Sequence, residues 1–225
     1  MTLICGIDDA GRGPVIGPMI MAGVLIEEND LDKLKSIGVK DSKLLTQKQR
    51  ERICKEIVKI VKDYKIIKVY PEEVDKAVMS DGVSNLNFLE GEKMAEIINY
   101  LKPDQVVVDC PSNNKKAFAQ FLKNKIKINS SLRCEHHADK NFVAVGAASI
   151  LAKCAREEEV LLIKKRIGID FGSGYVSDPK TKQFLKENWN KYPEIFRHSW
   201  APYQEYASGK KSKKQKTLGE YKDDQ

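Results

Sequence analysis

The sequence predicts an α/β domain with a mixed central sheet flanked by helices and closed by a small helical C-terminal extension. Three observations predict it. Two apolar segments, TLICGID and PMIMAGVLIE, stand at the N-terminus with only a glycine-rich turn between them, so the sheet starts as an antiparallel pair. Further on, short strand-like runs alternate with helix-period segments, and DQVVVDCP is apolar enough to be buried on both faces. The longest helical stretch, FVAVGAASILAKCAREEEVLLIKKRI, is followed only by loop chemistry and short helices. The antiparallel start argues against an all-parallel Rossmann sheet.

The elements follow in order. LDKLKSIG is a short helix after the first two strands. Thr46 and Gln49 have capping-box spacing, so QKQRERICKEIVKIVKDY is a helix with Ile53, Ile57, Ile60 and Val61 on one face. KIIKVY is a third strand and PEEVDKAVM a helix. LNFLEGEKMAEIINYL is another helix, closed by Lys102-Pro103. After the DQVVVDCP strand come a short helix, AFAQFLKN, and a strand around KIKINSS. The AVGAAS half of the long helix is built from small residues and predicts close packing on another element. GSGYVSDP is a loop, KTKQFLKENW a terminal helix and HSWAPY a short ordered end. Residues 1–206 read as one domain, its C-terminal helices beginning at about residue 171. Residues 207–225 read as a basic, disordered tail dominated by KKSKKQK.

Composition bounds the function. Apolar residues make up 41% and charged residues 32%, which suits a soluble globular protein. No apolar run approaches the ~20 residues of a membrane span, and no basic-then-apolar leader precedes Asp8. Cys5, Cys54, Cys110, Cys134 and Cys154 contain no C-x-x-C pair and are odd in number. They fit free thiols in a reducing cytoplasm, and a structural zinc site is not expected. A net charge of +7 favours a polyanionic partner. The protein is expected to be cytoplasmic and monomeric.

The chemistry is concentrated in GIDDAGRGPVIGP. Asp8 and Asp9 are adjacent carboxylates at a strand end, and their repulsion calls for an offsetting charge, for which a bound cation is the usual candidate. Two more carboxylates stand at element ends: Asp109 after three valines, and Asp139 ahead of the long helix. Each has a plainer reading alone, Asp109 as a turn former and Asp139 as a helix cap. Together they describe an all-oxygen site of the kind that suits Mg²⁺ or Mn²⁺. Two such ions about 3.5–4 Å apart can clamp the attacking and leaving oxygens of a phosphodiester.

GRGPVIG lacks the spacing of a phosphate-binding loop and is followed by a strand. Its glycines instead allow close backbone approach to a ligand, with Arg12 beside the carboxylates; a ligand-free β-turn is the alternative. Tyr175 lies in a glycine-containing loop, either as a stacking platform or as an anchor for the loop. Lys153 and Arg156, nearly one helical turn apart, either track a phosphate backbone or form a solvated face. Adjacent His136 and His137, read as strand residues, point to opposite faces and are expected to make local hydrogen bonds rather than hold metal.

GIDDAGRGPVIGP, DSKLL, VVVDCP, HHADKNFVAVGAASILAKCAREEE and GSGYVSDP, in this order and spacing, resemble ribonuclease HII of the archaeal type over about residues 3 to 205. The resemblance implies a ribonuclease H-like fold. It implies an endoribonuclease that hydrolyses the RNA strand of RNA–DNA hybrids and cuts 5′ of single ribonucleotides in duplex DNA, leaving 3′-hydroxyl and 5′-phosphate ends. It implies two-metal catalysis by a quartet mapping onto Asp8, Asp9, Asp109 and Asp139. Gly11, Arg12 and Gly13 map onto a motif whose backbone reads the ribose 2′-hydroxyl. Tyr175 maps onto a junction-sensing tyrosine, and Lys43 onto a lysine near a substrate phosphate. The family normally has glutamate where this chain has Asp9.

Two other readings compete: a DNA-junction nuclease or strand-transferase on the same superfold, and an inactive nucleic-acid-binding protein in which Asp9 marks decay. In the tail, Gln215, Leu218 and Tyr221 stand three residues apart and resemble the clamp-binding box of archaeal replication proteins, with Lys222 where a second aromatic usually follows. Such spacing gathers the three on one face of a 3₁₀ turn, a plug for an apolar pocket on the sliding clamp. The plainer alternative is a basic tail that only attracts DNA.

Overall fold

The computed structural model describes residues 1–39, 45–79 and 86–209. Lys43 and the box residues Gln215, Leu218 and Tyr221 lie outside the described residues. The central element is β1 (Leu3–Ala10), paired antiparallel with β2 (Met19–Glu27) in the register Asp8↔Ala22. On its other side β1 runs parallel to β4 (Gln105–Asp109), with Ile7 opposite Val108. β3 (Asp63–Val69) extends the sheet antiparallel beyond β2, and β5 (Ser131–Glu135) extends it parallel beyond β4. The order is β3-β2-β1-β4-β5, the mixed sheet predicted from the sequence.

Both sheet faces are covered, which explains why β2 shows no polar alternation. Met19, Met21 and Leu25 point into one core, with Met94, Ile97 and Ile98 of helix α4 (Leu86–Leu101). Ile20, Ala22, Val24 and Ile26 point into the other, with helix α7 (Val143–Ile167) and with Ile53 and Ile57 of helix α2 (Gln47–Ile60). The small residues of α7 find their partner in β1. A Cβ on Gly6 would lie 2.2 Å from the Ala144 carbonyl carbon, so the helix sits directly on the strand backbone.

A third cluster joins Phe171, Phe196 and Tyr203 to Phe184 of helix α8 (Pro179–Asn188). It also takes in Val15 and Ile16 of the glycine-rich turn, so the C-terminal helices, including α9 (Ala201–Ala207), are packed on that turn. Among the described residues no helix is long and apolar enough to cross a membrane.

Three element boundaries differ from expectation. Helix α2 has the Thr46–Gln49 capping box but ends at Ile60, because Lys62 N–H donates to Leu25 O at 2.8 Å and begins the β3 ladder. The strand expected at KIKINSS lies instead at SLRCE. Lys125 closes helix α5 (Lys115–Lys125), and the Asn99 side chain from α4 bonds Lys125 O and Lys127 N–H, diverting that segment from the sheet. His136 and His137 sit in the turn after β5 rather than on a strand, with His137 at φ 55°. His136 Nδ1 bonds Cys110 O at 3.2 Å, the local role expected of it.

Candidate active site

The parallel pairing of β1 with β4 brings Asp8 and Asp109 to the same carboxyl edge of the sheet, where α/β folds place ligands. Asp8 points to the α7 side, where Ser149 of that helix hydrogen-bonds its carboxylate. Its Oδ1 also accepts the Asp9 N–H at 2.8 Å. Asp109 Oδ1 accepts the Ala138 N–H at 2.8 Å, which ties the end of β4 to the one-turn helix α6 (Ala138–Asn141). That helix carries Asp139, which is 7% exposed.

All four carboxylates line one cleft of about 440 Å³, together with Gly11, Arg12, Gly13, Lys153, Arg156 and Tyr175. Residues from distant parts of the sequence therefore meet where the motifs predicted chemistry. A larger groove of about 890 Å³ lies between Tyr70, Leu162 and Phe196; it is mainly apolar and none of the four carboxylates lines it. The small cleft, which gathers the carboxylates, is the candidate site.

The cleft sets four aspartates close together, with Arg12, Arg50, Lys153 and Arg156 also on its walls. Burial holds the Asp8 carboxyl well above the usual carboxylate range, and Asp9 and Asp109 add to this. Burial pushes Asp9 up to about 6 against the opposing pull of Arg12, with Asp109 adding to the rise. Among the described residues no three His, Cys, Asp or Glu side chains are already gathered into a metal cage. The donor chemistry still fits a hard divalent cation: four carboxylates share one cleft, two of them destabilised as anions.

The glycine-rich turn is built for close contact. Gly11 has φ +81°, and a Cβ there would lie 2.5 Å from Arg156 Cδ and 2.9 Å from Pro18 O. A Cβ on Gly13 would sit 3.6 Å from the ring of Tyr175, so turn and tyrosine are neighbours. The Tyr175 loop is pinned to the turn by Val15 N–H donating to Gly174 O at 2.9 Å. It is also pinned to α8, where Asp178 Oδ2 accepts the Ser173 N–H at 2.7 Å.

Lys153 donates to Ser149 Oγ at 3.1 Å from the α7 wall of the cleft. Arg156 is 8% exposed; its guanidinium bonds Ser173 O and lies over Tyr175, so it faces the loop rather than open solvent.

Six residues in or beside the cleft fall outside the sequence-based expectation. Glu90 on α4 is fully buried and sits 3.0 Å from Arg12 Nε. Burial and the nearby Asp9 push its carboxyl up to about 8. The same Arg12 donates to Asn87 Oδ1 at 2.6 Å. Arg50 pairs with Glu157 across the α2–α7 side of the cleft. Arg197, fully buried, donates to Gly11 O, Arg12 O and Gly17 O, and Trp200 Nε1 donates to Gly13 O. Glu90 was findable: it shares an apolar stripe with Met94 and Ile97 at spacings of four and seven.

A family model described as ribonuclease HII matches residues 5–203. A ribonuclease HII of Pyrococcus furiosus is 42% identical over 224 residues, covering 97% of this chain and 97% of that protein. The crystal structure of ribonuclease H2 from Pyrococcus horikoshii superposes with a TM-score of 0.84 at 38% identity, covering 92% of this chain and 98% of that one. A solved PCNA–ribonuclease HII complex from Archaeoglobus fulgidus gives a TM-score of 0.79 at 38% identity, covering 97% and 100%.

Proposed function

Since the chain belongs to the ribonuclease HII family, and so is a metal-dependent ribonuclease H endonuclease, we propose that it hydrolyses the RNA strand of RNA–DNA hybrids and cuts 5′ of single ribonucleotides embedded in duplex DNA. The products are 3′-hydroxyl and 5′-phosphate ends. The observation that supports this reading is the meeting of four carboxylates, a glycine-flanked turn and Tyr175 in one cleft.

Asp8, Asp9, Asp109 and Asp139 would hold two Mg²⁺ or Mn²⁺ ions. Such ions lower the pKa of a bound water and stabilise charge on the phosphate. The rest falls to the chain's own groups. The Gly11–Gly13 backbone meets the ribose 2′-hydroxyl, the group that separates RNA from DNA. Tyr175 stacks on the sugar 3′ of the ribonucleotide, seated on Arg156. Arg12, Lys153 and Arg156 balance phosphate charge at the cleft wall, and Lys43 is assigned the same work.

The Archaeoglobus relative was solved with PCNA. We assign the sliding clamp as a partner of this chain too, through Gln215, Leu218 and Tyr221. The five free cysteines suit a reducing cytoplasm.

The test is an end-labelled duplex with one internal ribonucleotide, incubated with Mg²⁺ and with Mn²⁺ beside an all-DNA control. A single cut 5′ of the ribonucleotide and an intact control are expected. Cutting of the all-DNA duplex, or none of either, overturns the reading.

A further inference from the structure

The carbonyls of Gly11, Arg12 and Gly13 are all taken by the C-terminal segment. Arg197 Nη2 donates to Gly11 O at 2.6 Å and its Nη1 to Arg12 O at 2.7 Å. Nε and Nη2 both reach Gly17 O, at 3.1 and 3.0 Å, closing the far end of the turn. Trp200 Nε1 donates to Gly13 O at 3.1 Å, and the Arg197 guanidinium lies 4.9 Å over the Trp200 ring, so the two act as one unit.

In a trans peptide the N–H points opposite to the C=O of the same unit. Fixing Gly11 O and Arg12 O inward therefore aims the Arg12 and Gly13 N–H groups away from Arg197. Gly11, Arg12 and Gly13 line the cleft, whereas Arg197 is fully buried and does not. A buried guanidinium costs several kcal/mol in desolvation unless its donors are met. Here they are met by backbone carbonyls of the turn, three of which no lysine could hold in one geometry.

We propose that Arg197, with Trp200, is the positioning and specificity-determining residue that aims the Gly11–Gly13 backbone at the ribose 2′-hydroxyl. This rests on the reading of that turn as the ribose reader. The signal lies far from the motifs, in the aromatic segment IFRHSW, and the C-terminal extension thereby becomes part of substrate discrimination.

The test measures binding in an Asp109→Asn background, where the duplex stays uncut. One duplex carries a single ribonucleotide, and the other is identical but all-DNA. The readout is the ratio of the two affinities, which a merely structural loss would leave unchanged while weakening both. Arg197→Lys should lower the ratio about tenfold, the scale of one well-placed hydrogen bond to a substrate hydroxyl. Trp200→Phe keeps the ring packing, removes only the bond to Gly13 O, and should lower the ratio less; it carries the test if Arg197→Lys does not fold. A parent that discriminates beside folded variants that discriminate equally overturns this inference alone. A parent ratio of one overturns the reading of the turn itself, and this inference with it.

Discussion

The guanidinium of Arg156 lies 4.8 Å over the ring of Tyr175, while its Nη2 bonds Ser173 O at 2.9 Å. One arginine thus fixes both the plane of the aromatic and the loop that carries it, beside Gly13 of the turn. A tyrosine 38% exposed and held this way offers a preset aromatic face, to which the proposed function assigns the sugar 3′ of the ribonucleotide. Tyr175→Ala should lower cleavage at a lone ribonucleotide by the ~1–3 kcal/mol that such stacking is worth. Cleavage of a continuous hybrid should suffer less, since stacking on a deoxyribose is needed only where RNA meets DNA. Rates on both substrates check it, and equal losses would make Tyr175 merely an anchor for its loop.

Asp109→Asn should nearly abolish turnover and leave substrate affinity within a few-fold. The carboxylate stands at the strand edge beside Asp8, and the amide keeps its shape and its bond to Ala138 N–H while losing the charge. Single-turnover rates and duplex binding check both halves. Retention of more than about a tenth of wild-type turnover would remove Asp109 from the site.

The resemblance to ribonuclease HII puts Asp9 where that family normally has glutamate. Asp9→Glu should keep or raise activity, because the longer arm restores the family's reach, and Asp9→Asn should be far worse. Metal titrations of the three proteins separate reach from charge. Identical rates for all three would show that Asp9 holds nothing.

The strands β1, β2 and β4 were legible because local signals agreed: apolar runs, a glycine turn, a carboxylate after three valines. β5 was misplaced because its start depends on Asn99, a residue of α4 more than 25 positions away, which competes with the sheet for the backbone at Lys125 and Lys127. The quartet could be found since charged residues at strand ends are visible one at a time. Arg197 could not, because a buried arginine bonded to carbonyls 180 residues earlier looks like any surface arginine until the chain is folded. The histidine pair was read with strand geometry, which the left-handed turn at His137 breaks.

The carboxylate cluster should weaken the metal-free protein at neutral pH. Asp9 has its pKa raised to about 6 in the fold, against ~3.9 for an unperturbed aspartate. The native state therefore holds more protons than the unfolded chain between these values. The contribution of Asp9 to stability is most favourable below the lower value and is lost as pH rises through about 6. Asp9→Asn should then raise metal-free stability at pH 7 by on the order of 1–3 kcal/mol and have little effect near pH 3.5. Denaturant unfolding in EDTA at the two pH values checks it; a loss of stability at pH 7 would contradict the assignment.

The tail gives the last prediction. A peptide spanning Lys213 to Gln225 should bind the sliding clamp weakly, in the micromolar range, about −8 kcal/mol or poorer. Leu218 and Tyr221 supply an aliphatic and a single aromatic anchor, Lys222 stands where a second aromatic would add area, and ordering the segment costs part of what they contribute. Its lysines would attract an acidic surface whether or not the box is read, so affinity alone decides nothing. Calorimetry beside a Leu218→Ala, Tyr221→Ala control does, because the control keeps every charge and removes only the plug. Loss of binding in the control assigns recognition to the apolar face. If the control binds as well as the native peptide, and both bindings fade alike with added salt, the attraction is electrostatic and the box is an accident of composition.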